Sequence, residues 1–194
     1  MSRPTDGPPD DLPDVVPDVL PDILDDEALV ALALALPPET PPPELRARVL
    51  AALPRAARFD AFVERIARMI DLGADAVRGL LGRIDGAGWE PGPPPARLLH
   101  LPYGPALAGV DVGFVHLPAG AAFPRHRHLG EERVLVLQGA YLDSDGTVVR
   151  RGDTAHMAAG SAHAFVALPG PDLVYLVVLE KGVDIEGFGT ITVG

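Results

Sequence analysis

Five of the six histidines of this 194-residue chain lie within residues 116–163, and the sixth, His100, flanks them. His126 and His128 stand two residues apart in the run GAAFPRHRHLGEERVLVLQG; Glu132 follows four residues later, and His163 comes after GDTAHMAAGSA. On a strand, a spacing of two puts both imidazoles on one face. Three neutral imidazoles and one carboxylate are a ligand set for a divalent transition metal. Arg125 and Arg127 alternate with the histidines, so they are expected to point away from such a site. A cation beside the metal would weaken it.

The same residues have plainer readings. The string RHRH also suits surface histidines on a basic hairpin, with Glu132 a solvated edge charge. Glu131 is an alternative carboxylate ligand, though it fits less well. His156 shares strand parity with Thr154 and is expected either as a satisfied core or rim histidine or as an outer-sphere donor. His100 and His116 read as structural, and Tyr141 as a residue of the pocket mouth.

The elements that must position these groups change character along the chain. From Arg97 onward, short apolar runs (RLLHLPY, VGFVHLP, ERVLVLQG, TVVRRGD, HAFVALPG, DLVYLVVLE, FGTITV) are separated by Gly, Pro and Asp, with no helical period. Regular short strands with turn signals predict an all-β barrel or sandwich over residues 89–194. Residues 27–88 read as helical. Leu45, Val49, Leu50 and Leu53 share one face, Phe62, Ile66, Met69 and Ile70 another, and Val77, Leu80, Leu81 and Ile84 repeat the pattern after Gly73. GWEPGPPP (88–95) is expected to link the two parts. The strand DLVYLVVLE is apolar on both faces. One face can fill the barrel, whereas the other needs the helices of residues 59–84 or a second subunit to cover it. A homodimer is expected on that ground.

Composition removes several functions. The chain has no cysteine, so disulfides, Cys-ligated zinc, iron–sulfur clusters and thiol nucleophiles are out. A net charge of −11 argues against binding a nucleic-acid backbone. No apolar stretch reaches the ~18–20 residues of a membrane span, and the acidic, proline-rich start MSRPTDGPPDD resembles neither a secretory signal nor a transit peptide; a cytoplasmic protein is expected. Residues 1–27 hold nine acids against Arg3 alone. With the repeat PDVV-PDVL-PDIL, residues 1–26 read as a disordered acidic tail. The sharper reading is an acidic–hydrophobic segment that orders on a basic partner.

Gly120, His126-Arg127-His128, Glu132 and Gly139 fit the first cupin motif, G-x5-H-x-H-x3-E-x6-G, at every fixed position. Gly152, Ala158-Ala159-Gly160 and His163 resemble the second, G-x5-P-x-G-x2-H, with Ala158 where proline is usual and Ala167 where the family often has asparagine. The resemblance implies a mainly β fold, a small antiparallel double-stranded β-helix or jelly-roll barrel, with His126, His128, Glu132 and His163 as metal ligands. The string PRHRHLGEERVLVLQGAYLDSDG looks more narrowly like the C-terminal cupin of ChrR-type anti-sigma factors. In that family the cupin binds zinc and takes part in an oxidative response, while an N-terminal zinc-binding helical domain holds the sigma factor. LALALPPETPPPELRARVLAAL resembles the helical connector of bacterial anti-sigma factors. The family's N-terminal motif H-x3-C-x2-C is absent, since the chain has no cysteine and no histidine before His100.

Two functional classes follow. The first is a metal-loaded regulatory or sensing module that responds to a small molecule and has a sigma factor as candidate protein partner. The second is a dioxygenase-like cupin metalloenzyme. Zinc is the first expectation for the metal, with iron, nickel or manganese as alternatives. No nucleophile, general-base pair or phosphate loop is predicted, so no residue is assigned a catalytic role.

Overall fold

A computed structural model describes residues 56–193, together with Ala35, Pro42 and Leu45. The acidic tail expected over 1–26, and the helices expected between 27 and 55, otherwise lie outside the described residues. The chain divides into two compact units, Met1–Arg46 and Ala47–Gly194; the barrel, its helices and the site all belong to the second.

Among the described residues, the first element of that unit is a 3-10 turn, Ala56–Phe62, followed by helices α1 (Val63–Ile70) and α2 (Ala74–Gly82). Val63, Ile66 and Ile70 in α1, and Val77 and Leu81 in α2, are buried, the three- and four-residue spacing of a helix with one apolar face. Between the helices Asp71 adopts the left-handed conformation (φ 56°, ψ 46°). Its carboxylate accepts the Ala106 backbone N–H at 2.9 Å.

Twelve strands follow among the described residues: β1 (Glu90–Pro91), β2 (Arg97–His100), β3 (Val110–Leu117), β4 (Ala122–His128), β5 (Glu132–Gln138), β6 (Ala140–Asp143), β7 (Val148–Arg150), β8 (Thr154–Met157), β9 (Ala162–Ala167), β10 (Leu173–Glu180), β11 (Val183–Ile185) and β12 (Gly189–Ile191). They form two six-stranded antiparallel sheets, ordered β1-β2-β3-β10-β5-β8 and β12-β11-β4-β9-β6-β7. The fold is mainly β, as expected. The segment 88–95 is not a free connection. Glu90 and Pro91 pair with Leu98 and Arg97 at the sheet edge, and the Trp89 indole donates to the Ile84 carbonyl at 3.0 Å.

Strand β10 shows how one sequence serves two cores. Leu173, Tyr175 and Leu179 pack between the sheets with Val115, Phe123 and Phe165. Val174, Leu176 and Val178 point the other way and join Phe114, Leu135, Ile66, Ile70 and Val77. The period of two in a strand produces this division. The outer face of the first sheet is therefore covered by α1 and α2 of the same chain, and it gives no reason of its own for a second subunit.

The chain crosses from β4 in one sheet to β5 in the other over only three residues. Gly130 sits in that crossing, and a Cβ there would lie 2.5 Å from the Glu180 carbonyl oxygen, so only glycine lets the strands approach this closely. Gly139 has φ 73° and comparable crowding against Pro171 and Asp172. It ends β5 and starts β6. The first motif thus begins before the histidine strand and ends at a turn that needs glycine.

Candidate metal centre

Strand β4 carries Phe123, His126 and His128 inward and Arg125 and Arg127 outward: the two histidines are buried and both arginines are exposed. The alternation separates ligand candidates from cations, as the sequence predicted. A register shift between Phe123 and His126 precedes the pair, after which His126 stands directly opposite His163 on β9. Glu132 enters from the other sheet as the first residue of β5, and it too is buried. The site is therefore built between the two sheets, at the short β4–β5 crossing.

His126, His128 and His163 each offer one nitrogen, and those three atoms lie within 4.8 Å of one another. The ring centroids are 4.5 Å apart for His126–His163, 4.9 Å for His126–His128 and 5.2 Å for His128–His163. Glu132 is not a member of that three-residue group. It reaches the site through one approach, Oε2 lying 3.5 Å from His128 Nδ1.

The hydrogen bonds around the rings decide which nitrogens are available. His126 Nδ1 lies 3.0 Å from the Pro124 carbonyl oxygen, and His163 Nδ1 lies 2.6 Å from Asp143 Oδ2. A carbonyl and a carboxylate accept and do not donate. In the neutral rings each Nδ1 therefore carries the proton, which leaves the lone pair on Nε2. His163 Nε2 and both nitrogens of His128 are buried without a hydrogen-bond partner. A buried polar atom left in this way costs roughly 1–3 kcal/mol. A divalent cation would satisfy lone pairs that face one another, so the donor set fits a metal.

Burial, the largest cause, holds the His126 imidazole down to about 4, and the neighbouring His163 pushes the same way, while the Pro124 carbonyl works against them. His126 is then neutral throughout the physiological range, the form a metal requires. Burial likewise raises the Tyr141 phenol, aided by Asp143 and Glu132, and raises Tyr175 well above the ordinary tyrosine range. Both remain phenols and form part of the barrel wall.

Two openings flank the cluster. A largely apolar cavity of about 80 Å³ is bordered by His126, Glu132, Phe123, Tyr175, Leu179 and Ile185. On the other side a polar groove of about 320 Å³ reaches His163 past Asp143, Asp145, Ser144 and His156. Tyr141 lines this groove, with its side chain almost wholly buried.

The remaining histidines stand apart. His100 Nδ1 is 3.0 Å from Asp111, and His116 Nε2 is 3.1 Å from Asp172. His156 is exposed and lies 3.4 Å from the exposed Glu131, so it sits on the rim, and Glu131 faces solvent instead of the cluster. Sequence reasoning missed Asp143. It lies 20 positions from His163, and only the pairing of β6 with β9 brings the two together.

A family model described as the ChrR cupin-like domain matches residues 78–181. The chain belongs to the ChrR cupin-like family. The match spans the four candidate ligands and more than half of the sequence. A search of curated proteins finds no match. Among solved structures, the chain is similar to one from the crystal structure of Rhodobacter sphaeroides SigE in complex with the anti-sigma ChrR. The identity is 25% and the TM-score 0.50, over 80% of this chain and 76% of that one. It is also similar to an acetylacetone dioxygenase from Acinetobacter johnsonii at 14% identity and TM-score 0.47 (55% and 80% covered). A third likeness is to an RmlC-like cupin protein from Ralstonia eutropha, at 20% identity and TM-score 0.45 (55% and 71% covered). In this ChrR cupin-like chain, no helix among the described residues is long and apolar enough to cross a membrane.

Proposed function

We propose that this protein is a metal-loaded regulatory or sensing cupin, in which His126, His128, Glu132 and His163 hold one divalent transition metal, zinc first among the candidates. The observation that carries the reading is the set of buried imidazole nitrogens that face one another without partners in a chain of the ChrR cupin-like family. A zinc ion closed by four protein ligands is a structural centre, whereas one that keeps an open position offers a Lewis-acid site. The chain's own residues contribute the rest. Pro124 and Asp143 fix the tautomers of His126 and His163. Phe123, Leu179 and Ile185 form an apolar wall on one side of the cluster. The glycine at 130 allows Glu132 to arrive from the opposite sheet.

The proposal extends to a partner. The likeness to the anti-sigma ChrR, solved with SigE, supports a sigma factor. These 194 residues hold no cysteine and no histidine before His100, so they supply such a partner with no zinc motif of the H-x3-C-x2-C type. A cytoplasmic location accords with that role. We assign the barrel to residues 89–194, with the α1–α2 pair as its outer cover.

The second reading, a metalloenzyme acting on a small molecule, is favoured by one feature, the apolar cavity beside His126 and Glu132. Elemental analysis of protein purified without a metal-affinity tag separates the two. About one zinc per chain, lost in His128→Ala, supports the regulatory reading. Iron at that stoichiometry moves the assignment to oxygen chemistry. No bound metal, and none taken up on titration, removes both.

A further inference from the structure

We infer that Asp143 is a positioning residue of this centre, which holds His163 in the one tautomer that can bind metal and supplies the second negative charge that a buried dication needs. The inference rests on the proposed metal site and goes beyond its ligand set.

The three imidazoles are held in three different ways. His126 donates Nδ1–H to a neutral backbone carbonyl. His128 has no hydrogen-bond partner at either nitrogen. His163 alone donates to a carboxylate, at 2.6 Å, and both members of that pair are largely buried, with 12% and 15% of their side-chain surface exposed. An ionised acceptor makes the shorter and stronger bond, and a carboxylate on the far nitrogen fixes ring orientation and raises the basicity of the near one. Nε2 of His163 is buried and unpartnered, so the nitrogen freed by this contact is the one that needs a ligand.

Asp143 is itself held. It ends β6, its backbone N–H donates to the Thr147 carbonyl at 2.8 Å, and the Ser144 hydroxyl donates to its other oxygen, Oδ1, at 3.1 Å. One oxygen is thus anchored to the β6–β7 turn and the other is aimed at His163. The turn DSDG acts as the brace for a ligand on a different strand. Charge points the same way. A dication among three neutral imidazoles and Glu132 keeps one uncompensated positive charge in a buried place, and desolvated charge is costly unless it is matched. Asp143, one imidazole away, supplies the match.

The test uses the full-length protein, titrated with zinc in the presence of a competing chelator, with His163 followed by nitrogen NMR in the metal-free state. Wild type should show His163 protonated at Nδ1. Asp143→Ala should mix the two tautomers and weaken zinc binding by about 10- to 100-fold. Asp143→Asn keeps an acceptor oxygen and loses the charge, so it should retain the tautomer and recover part of the affinity. Asp184→Asn removes an exposed acid on β11 and should leave affinity within about twofold. If Asp143→Ala does not fold, Asp143→Asn alone still decides: affinity equal to wild type overturns the charge role. Unchanged zinc affinity in Asp143→Ala, or a His163 tautomer that ignores the substitution, overturns the inference while leaving the four-ligand site standing. Wild-type protein that takes up no zinc overturns both.

Discussion

The two faces of the first sheet use the same strands for opposite ends. Its outer face, where Phe114, Leu176 and Val178 meet Ile66, Ile70 and Val77, is apolar and sealed by helices. Its inner face shares the barrel with three imidazoles and the Glu132 carboxylate, and there several nitrogens stay buried without partners. The outer face gains stability from area removed from water. The inner face gives some of it up. Unsatisfied polar atoms in an otherwise well-packed interior mark the place where the fold is organised for something besides folding, and those of His128 and His163 lie at one spot.

The largest effect that tests this contrast belongs to the outer face. Phe114 is fully buried and stands opposite Leu99 in the β2–β3 ladder. Phe114→Ala should destabilise the chain by about 3–5 kcal/mol, read from urea melts, with the stoichiometry of bound metal unchanged in the protein that remains folded. A loss of metal in proportion to the loss of stability would show that the two faces are not separable.

Acid should act on the inner face. His126 has its folded-state value lowered to about 4 from an ordinary 6.5, so the unfolded chain takes up a proton before the folded one does. Its contribution is fully present above 6.5 and is lost as pH falls toward 4. For the metal-free protein this amounts to about 3 kcal/mol at most. Bound metal should delay that loss, because the proton then competes with the ion for the same nitrogen. Thermal melts of metal-free and metal-loaded protein across that range read both effects, and a flat metal-free profile would remove His126 as a buried neutral base.

Metal removal is a further probe of the inner face. At free zinc of about 100 times its dissociation constant, the folded state gains roughly 2.7 kcal/mol, and a chelator should take this away. His128→Ala should abolish that increment; the side chain is fully buried, so the metal-free protein should lose stability as well through the cavity left behind, and only the zinc-dependent part reports on the ligand. Equal melting temperatures with and without chelator in wild type would contradict it. The smallest effect is expected on the outside of the second sheet. Val166 is 42% exposed and faces the equally exposed Leu142 across β6–β9. Val166→Ser should shift stability by no more than about 0.5 kcal/mol and leave metal binding alone.

How far the sequence could be read follows the same division. The barrel was legible because its longer strands are apolar runs of six to eight residues bounded by turn formers, as in β3, β9 and β10. His126, His128 and Glu132 could be placed near one another because spacing within one strand, and across one short crossing, is a local property, whereas His163, on β9, was tied to them only by the resemblance to the second cupin motif. The strands β6, β8 and β11 have three or four residues, too few to show alternation, and their places depend on partners elsewhere in the chain. Asp143 was hidden for that reason: in sequence it is one acid of a turn, and only the β6–β9 ladder makes it the partner of His163. The Pro124 carbonyl was hidden because a backbone acceptor leaves no mark in residue type. Residues 56–62 fall within the segment read as helical, yet they wind as a 3-10 turn before α1 begins. Periodicity shows which side chains are buried and is weak on how tightly the backbone turns.

Whether three imidazoles and one carboxylate close on a single ion is read most directly by X-ray absorption at the zinc edge of the zinc-loaded protein. The account predicts one shell of nitrogen and oxygen at about 2.0–2.2 Å with outer-shell scattering from three imidazole rings, falling to two rings in His163→Ala. A spectrum with one imidazole or none, or one that His163→Ala leaves unchanged, would contradict it.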